Sequence, residues 1–175
     1  MCSSDLFPHQ GIYGSFKYQS IHPHSQLRED FRVLDANVTG VLPVKEHTLI
    51  LHTEWSRSLG MLSGRHFQKS LGGFLRLSGY PQDALVGNNL LFARATWLHR
   101  LDISESSLLN LPLYLGMSLE TGNVWQSSAE MSFKDTLSAA SVLAGLDTPV
   151  GPIYVGYGKS TGGTASFYLR LGRLF

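Results

Sequence analysis

Apolar and polar residues alternate along most of this chain, in runs of about ten residues separated by polar or glycine-rich stretches. From 165 to 175, Phe167, Leu169, Leu171 and Phe175 fall on one side and Ser166, Tyr168, Arg170 and Gly172 on the other. Period two is the signature of a strand with one apolar and one polar face. The same pattern predicts strands over 11–21, 31–42, 47–57, 89–101, 111–121, 136–146 and 152–159. The fifth of these eight has the cleanest alternation: Leu111, Leu113, Leu115, Met117 and Leu119 oppose Tyr114, Gly116, Ser118 and Glu120. No segment carries helical periodicity, so the expected class is all-β.

The connections differ in character. Those after the second, fourth and sixth strands are short to moderate, and those after the first, third and fifth are longer. The longest, 58–88, is rich in glycine and polar residues and contains LGGFLRLSGY at 71–80. A connection of that length inside a compact array points to function. Strands of about ten residues suit a bilayer crossing at a tilt. Short turns on one side and long loops on the other are the habit of outer-membrane barrels, whose outer face is apolar and inner face polar. Lys17, Asp35, Glu54, Arg94, Glu120 and Arg170 fall on the polar faces and suit a wet lumen, while Trp55, Trp97, Tyr18 and Tyr157 suit interfacial girdles. A soluble barrel or sandwich carrying a ligand would show the same alternation with the apolar faces turned inward. The low charge, the loop asymmetry and the terminal aromatic favour the membrane reading. It predicts that arginine costs more at outward Leu115 than at inward Ser118.

Composition narrows the rest. The 175 residues suffice for one domain, and only 15% are charged, below the soluble average of about 25%. A net charge of +1 gives no reason to expect nucleic acid as a partner. One cysteine, Cys2, excludes an intrachain disulfide and a cysteine metal cluster. Residues 1–10 read as a linker or non-native start and 11–175 as the barrel domain, a fragment of a longer chain. No basic region followed by an apolar run opens the sequence, so no signal peptide is read there.

Four segments together resemble the bacterial surface antigen family of outer-membrane barrels, the superfamily of BamA and TamA. They are LGGFLRLSGY, VGNNLLFARATWLHRL at 86–101, LDTPVGPIYVGYG at 146–158 and FYLRLGRLF at 167–175. The resemblance covers most of 11–175 and implies the C-terminal half of a sixteen-stranded transmembrane barrel, with 58–88 at the family's long sixth loop. In that family the loop carries Val-Arg-Gly-Tyr or Phe, its arginine tucked into the lumen. Here the matching positions are Leu77, Ser78, Gly79 and Tyr80, with Arg76 two residues before the serine. Glu120 is the expected loop partner, meeting Arg76. The Leu-Ser-Gly-Tyr form and YLGMSLETGNVW at 114–125 are closest to the barrels of patatin-like phospholipases of type V secretion. That resemblance implies an outer-membrane anchor or translocator for an N-terminal hydrolase in the same parent chain. An outer-membrane assembly factor, a two-partner secretion pore and a soluble ligand carrier are the alternatives.

No catalytic residue is expected within this chain. Gly60-Met-Leu-Ser-Gly64 places serine one position late for a nucleophile elbow, and Gly158-Lys-Ser-Thr-Gly-Gly lacks the spacing of a phosphate loop. His9, His22 and His24 do not form a usual zinc pattern, so neither metal nor cofactor is expected. Loop acids Glu29, Asp30 and Asp83 read as solvated. Leu171, Gly172 and Phe175 form the expected C-terminal assembly signal, recognised by strand addition. The expected partners are outer-membrane lipids, the barrel assembly machinery and a second copy of the chain, in the bacterial outer membrane.

Overall fold

A computed structural model describes residues 10–21, 31–59, 68–101, 112–148 and 151–172. Ten strands form: β1 (Gly11–Ile21), β2 (Phe31–Val44), β3 (His47–Leu59), β4 (Lys69–Leu71), β5 (Leu85–Gly87), β6 (Asn89–Leu101), β7 (Leu113–Trp125), β8 (Leu137–Thr148), β9 (Gly151–Ser160) and β10 (Ala165–Leu171). Eight of them make one sheet in the order β1-β2-β3-β6-β7-β8-β9-β10, every neighbouring pair antiparallel. The excursion between β3 and β6 contributes β4 and β5, a separate two-stranded ladder. A single turn of 3-10 helix at Phe133–Asp135 precedes β8. The chain is therefore all-β. The sheet is open, with β1 and β10 as its edges, and no closed barrel forms among the described residues.

The register keeps the alternation coherent across the sheet. Phe16, Ala36 and Trp55 pair in sequence across β1–β3; Leu49, Trp97, Met117, Val142, Tyr157 and Phe167 do so across β3–β10. These side chains lie on one face, and that face is bare: Leu119 is 68% exposed, Leu169 72% and Phe167 85%. The opposite face carries the polar positions, and over β3 and β6–β9 it is covered. Ser118, Glu120 and Ser141 are buried there with Ile50, Phe92, Leu98 and Tyr154. A globular sheet buries its apolar side and wets its polar side. This one does the reverse.

The cover is the excursion itself. Residues 68–88 fold back over the inner face and add Leu71, Leu75 and Leu77, all essentially inaccessible, to two apolar clusters. Leu75 and Phe74 join Ile50, Leu98, Leu143 and Tyr154; Leu71 and Leu77 join Leu90, Phe92 and Ala139. β3 and β6 are adjacent in the sheet, so the connection between them begins and ends at one seam.

Candidate functional site

The site is the contact between the 68–80 segment and the inner wall. Its backbone turns sharply: Leu75 and Leu77 have φ of 60° and 67°, in a region bulky residues seldom occupy. The turns are fixed locally by Gly72 N–H to the Arg76 carbonyl at 2.8 Å and Gly73 N–H to the Tyr80 carbonyl at 3.1 Å. Alternating direction at 75 and 77 sends the two leucines into different clusters and presents Arg76 and Ser78 to different strands.

Ser78 meets Glu120. Its N–H donates to Glu120 Oε2 at 2.6 Å and its hydroxyl to Oε1 at 2.8 Å. Ser118 and Ser141, from β7 and β8, donate to the same Oε1, and their hydroxyls lie 2.8 Å apart. Leu75 N–H donates to Ser78 Oγ at 2.9 Å. Arg94, opposite Glu120 in the β6–β7 register, donates to the Leu75 carbonyl at 3.0 Å. Burying a carboxylate is costly unless its oxygens are satisfied. Here both are, by donors from the segment and from two strands.

Arg76 does not meet Glu120. It pairs with Glu54 on β3, donates to the Ser70 carbonyl at 3.2 Å and lies 5.6 Å from the centre of the Phe92 ring. The expected loop partner thus holds the loop, but through Ser78. The positive φ at Leu77 separates the two neighbouring polar side chains and gives each its own acid. Glu54 Oε1 also takes a hydrogen bond with His52 Nε2 at 2.9 Å, and His52 Nδ1 stands 2.7 Å from the Thr39 hydroxyl. A second pair sits nearby, Lys69 on β4 to Asp35 on β2 at 2.7 Å, with the Ser56 hydroxyl donating to Asp35 at 2.6 Å.

β9 and β10 supply the rest of the seat. Phe74 stacks on Tyr168 with ring centres 4.9 Å apart and lies over Gly156, where a methyl group would stand 2.4 Å from its ring. A methyl group at Gly158 would stand 2.3 Å from Ser78 Cβ. The two glycines of the VGYG run are a track for close approach. Gly79 N–H donates to Tyr168 Oη at 2.8 Å, and Ser166 Oγ donates to the Gly79 carbonyl at 3.3 Å. Tyr80 packs beside the second cluster, and its carbonyl accepts from Tyr168 Oη at 3.4 Å.

The remaining candidates fall elsewhere. Leu171 points to the outer face and is 73% exposed, and Gly172 N–H donates to the Pro152 carbonyl at 2.9 Å. Phe175, His9, His22, His24, Glu29, Asp30 and the 60–64 run lie outside the described residues. Asp83 accepts from the Ser70 hydroxyl within the excursion, at 2.5 Å. The expectation for Ser118 needs correction: it is 2% exposed beneath the segment, so arginine there would displace the Glu120 cluster and could not be cheap. Two features escaped the sequence reading. Asp35 and Lys69 are 34 positions apart in the chain, and Glu54 and Arg76 are 22 apart, so only the folded-back segment joins them. Apolar Ile50, Leu98, Leu143 and Tyr154 sit on the otherwise polar face, where they meet Leu75 and Phe74.

No protein-family model matches this chain, and no curated protein matches it in sequence.

Proposed function

We propose that this chain is the C-terminal half of an outer-membrane β-barrel of the surface-antigen type, with its apolar face toward lipid and its polar face toward a lumen that the 68–88 segment partly fills. One observation carries the reading: a coherent apolar face, from Phe16 through Met117 to Phe167, stands bare while Glu120, Ser118 and Ser141 are buried behind it. In water that arrangement exposes a large continuous apolar patch, whereas in lipid the patch is solvated. The open edges at β1 and β10 support a wall completed by further strands, because an unpaired edge in hydrocarbon leaves backbone groups unsatisfied. Among the described residues no helix is long and apolar enough to cross a membrane.

The barrel would anchor or translocate an N-terminal patatin-like hydrolase in the parent chain. That finer part rests on the resemblance of RLSGY and YLGMSLETGNVW to the type V phospholipase barrels. Folding into lipid tests the membrane reading. The chain should require detergent or vesicles to remain dispersed, and in vesicles its outer-face residues should be shielded from water-soluble reagents. A monodisperse, detergent-free protein with the same strand content would overturn it. Expression of the parent reading frame tests the hydrolase part: lipid-ester hydrolysis that maps upstream of this barrel supports it, and an upstream region without such activity removes it.

A further inference from the structure

The outer face carries a feature that neither the wall nor the docked segment uses. His47, the first residue of β3, is the direct cross-strand partner of His99 on β6. Their Nδ1 atoms are 3.1 Å apart, within hydrogen-bond distance, one donating and the other accepting. The rings are 4.7 Å apart between centres, and Trp97 stacks against both, at 5.2 Å from His47 and 6.0 Å from His99. All three residues are half-buried, and the pair lies at the strand end beside the exposed Lys45-Glu46 turn, at the margin of the outer face.

We propose that His47 and His99 form a two-imidazole site for a divalent transition metal ion. The separation fits. With metal–nitrogen bonds of about 2.0–2.1 Å, two ligands on one ion lie about 2.9 Å apart at a right angle and about 3.3 Å at the tetrahedral angle. The 3.1 Å between these nitrogens falls in that interval, so an ion that displaces the shared proton can reach both at bonding distance from a point to one side of the line joining them. The strand ladder presets the geometry, so the ion need not order a loop to bind. Imidazole nitrogens select copper, nickel and zinc over magnesium or calcium, which prefer oxygen. Among the described residues no group of three or more histidines, cysteines or carboxylates is placed to hold a metal, so the proposal rests on these two imidazoles alone. The bound ion would clip β3 to β6 at the end of the seam opposite the excursion, joining residues 52 positions apart in the chain. This inference does not depend on the membrane reading.

The test is titration of the full chain, folded in detergent micelles, with copper(II) alone. Trp97 is the built-in reporter, because a paramagnetic ion on the adjacent imidazoles quenches its emission. One equivalent should quench the part of the fluorescence that the Trp97→Phe variant lacks, and the copper resonance spectrum should show two imidazole nitrogens. His47→Gln and His99→Gln should each weaken binding at least tenfold, and the double variant should lose the one-equivalent phase. The thermal midpoint should rise with copper in the parent and not in the double variant. A double variant that titrates like the parent would overturn the proposal. So would a parent spectrum with fewer than two imidazole nitrogens, a reading that holds even if the variants fold poorly.

Discussion

β1 and β7 alternate in the same way and sit in different surroundings. In β7, Tyr114, Gly116, Ser118 and Glu120 are buried while Leu115, Met117 and Leu119 between them are exposed. In β1 every residue from Gly11 to Tyr18 is exposed, on both faces. The sheet is continuous between them, so pairing does not account for the difference. Residues 68–80 do: they lie over β3 and β6–β9 and leave β1 bare, reaching β2 through Lys69–Asp35 and the Leu75–Val41 cluster. Strand pairing sets which face a residue takes, and the folded-back segment decides whether that face is buried.

The widest gap between the two strands should come from Glu120→Ala. It strands the Ser78 N–H and leaves Arg94 without its facing carboxylate. A cost of about 3–5 kcal/mol in lipid folding titrations is expected, the range for removing one member of a buried charged set. Lys17→Ala in β1 should stay within about 0.5 kcal/mol, as exposed positions do. Equal effects would mean that Glu120 does not hold the segment. Next is Leu115→Arg, expected to cost about 2–4 kcal/mol if the outer face meets lipid. Ser15→Arg, on the exposed inner side of β1, should cost much less, and parity in vesicles would remove the assignment of faces. Gly158→Ala should cost about 1–3 kcal/mol through overpacking against Ser78. Gly40→Ala, with nothing within 4 Å of the added methyl, should be close to neutral. Limited proteolysis within 72–84 should accelerate in Gly158→Ala and not in Gly40→Ala. Among substitutions in the segment and its seat, the smallest loss belongs to Arg76→Gln. Its pair with Glu54 is partly solvated, so a loss of about 0.2–1 kcal/mol that shrinks with added salt is expected.

Much of the sheet was legible in the sequence because period two survives wherever each face meets one kind of surroundings. β1 and β6 start and end at the expected residues. β7 runs on to Trp125, past the expected end at Thr121 and into the stretch read as a polar connection. There a methyl group at position 122 would stand 2.5 Å from the Leu91 carbonyl, so glycine serves close strand packing and not a bend. β4 and β5 escaped notice because three residues each are too few to show a period. The site was half legible. RLSGY and Glu120 could be singled out, but which side chain meets which acid is settled by the backbone at Leu75 and Leu77, and nothing in the residue type of leucine announces a positive φ. The histidine pair left no local trace, since a cross-strand contact between 47 and 99 is set by register alone.

Those two leucines have a consequence for how the segment behaves once detached. A left-handed conformation costs a bulky residue roughly 1–2 kcal/mol, and two of them sit within three positions. Ile50, Leu98 and Tyr154 around Leu75, and Phe92 and Leu90 around Leu77, offset that cost only while the segment is seated. Lifted off, residues 72–80 gain by relaxing to ordinary dihedrals, and the shape that fits the glycine track is lost with the contacts. Seating and shape therefore appear and vanish together. The same two residues that strain the segment are thus the ones that anchor it.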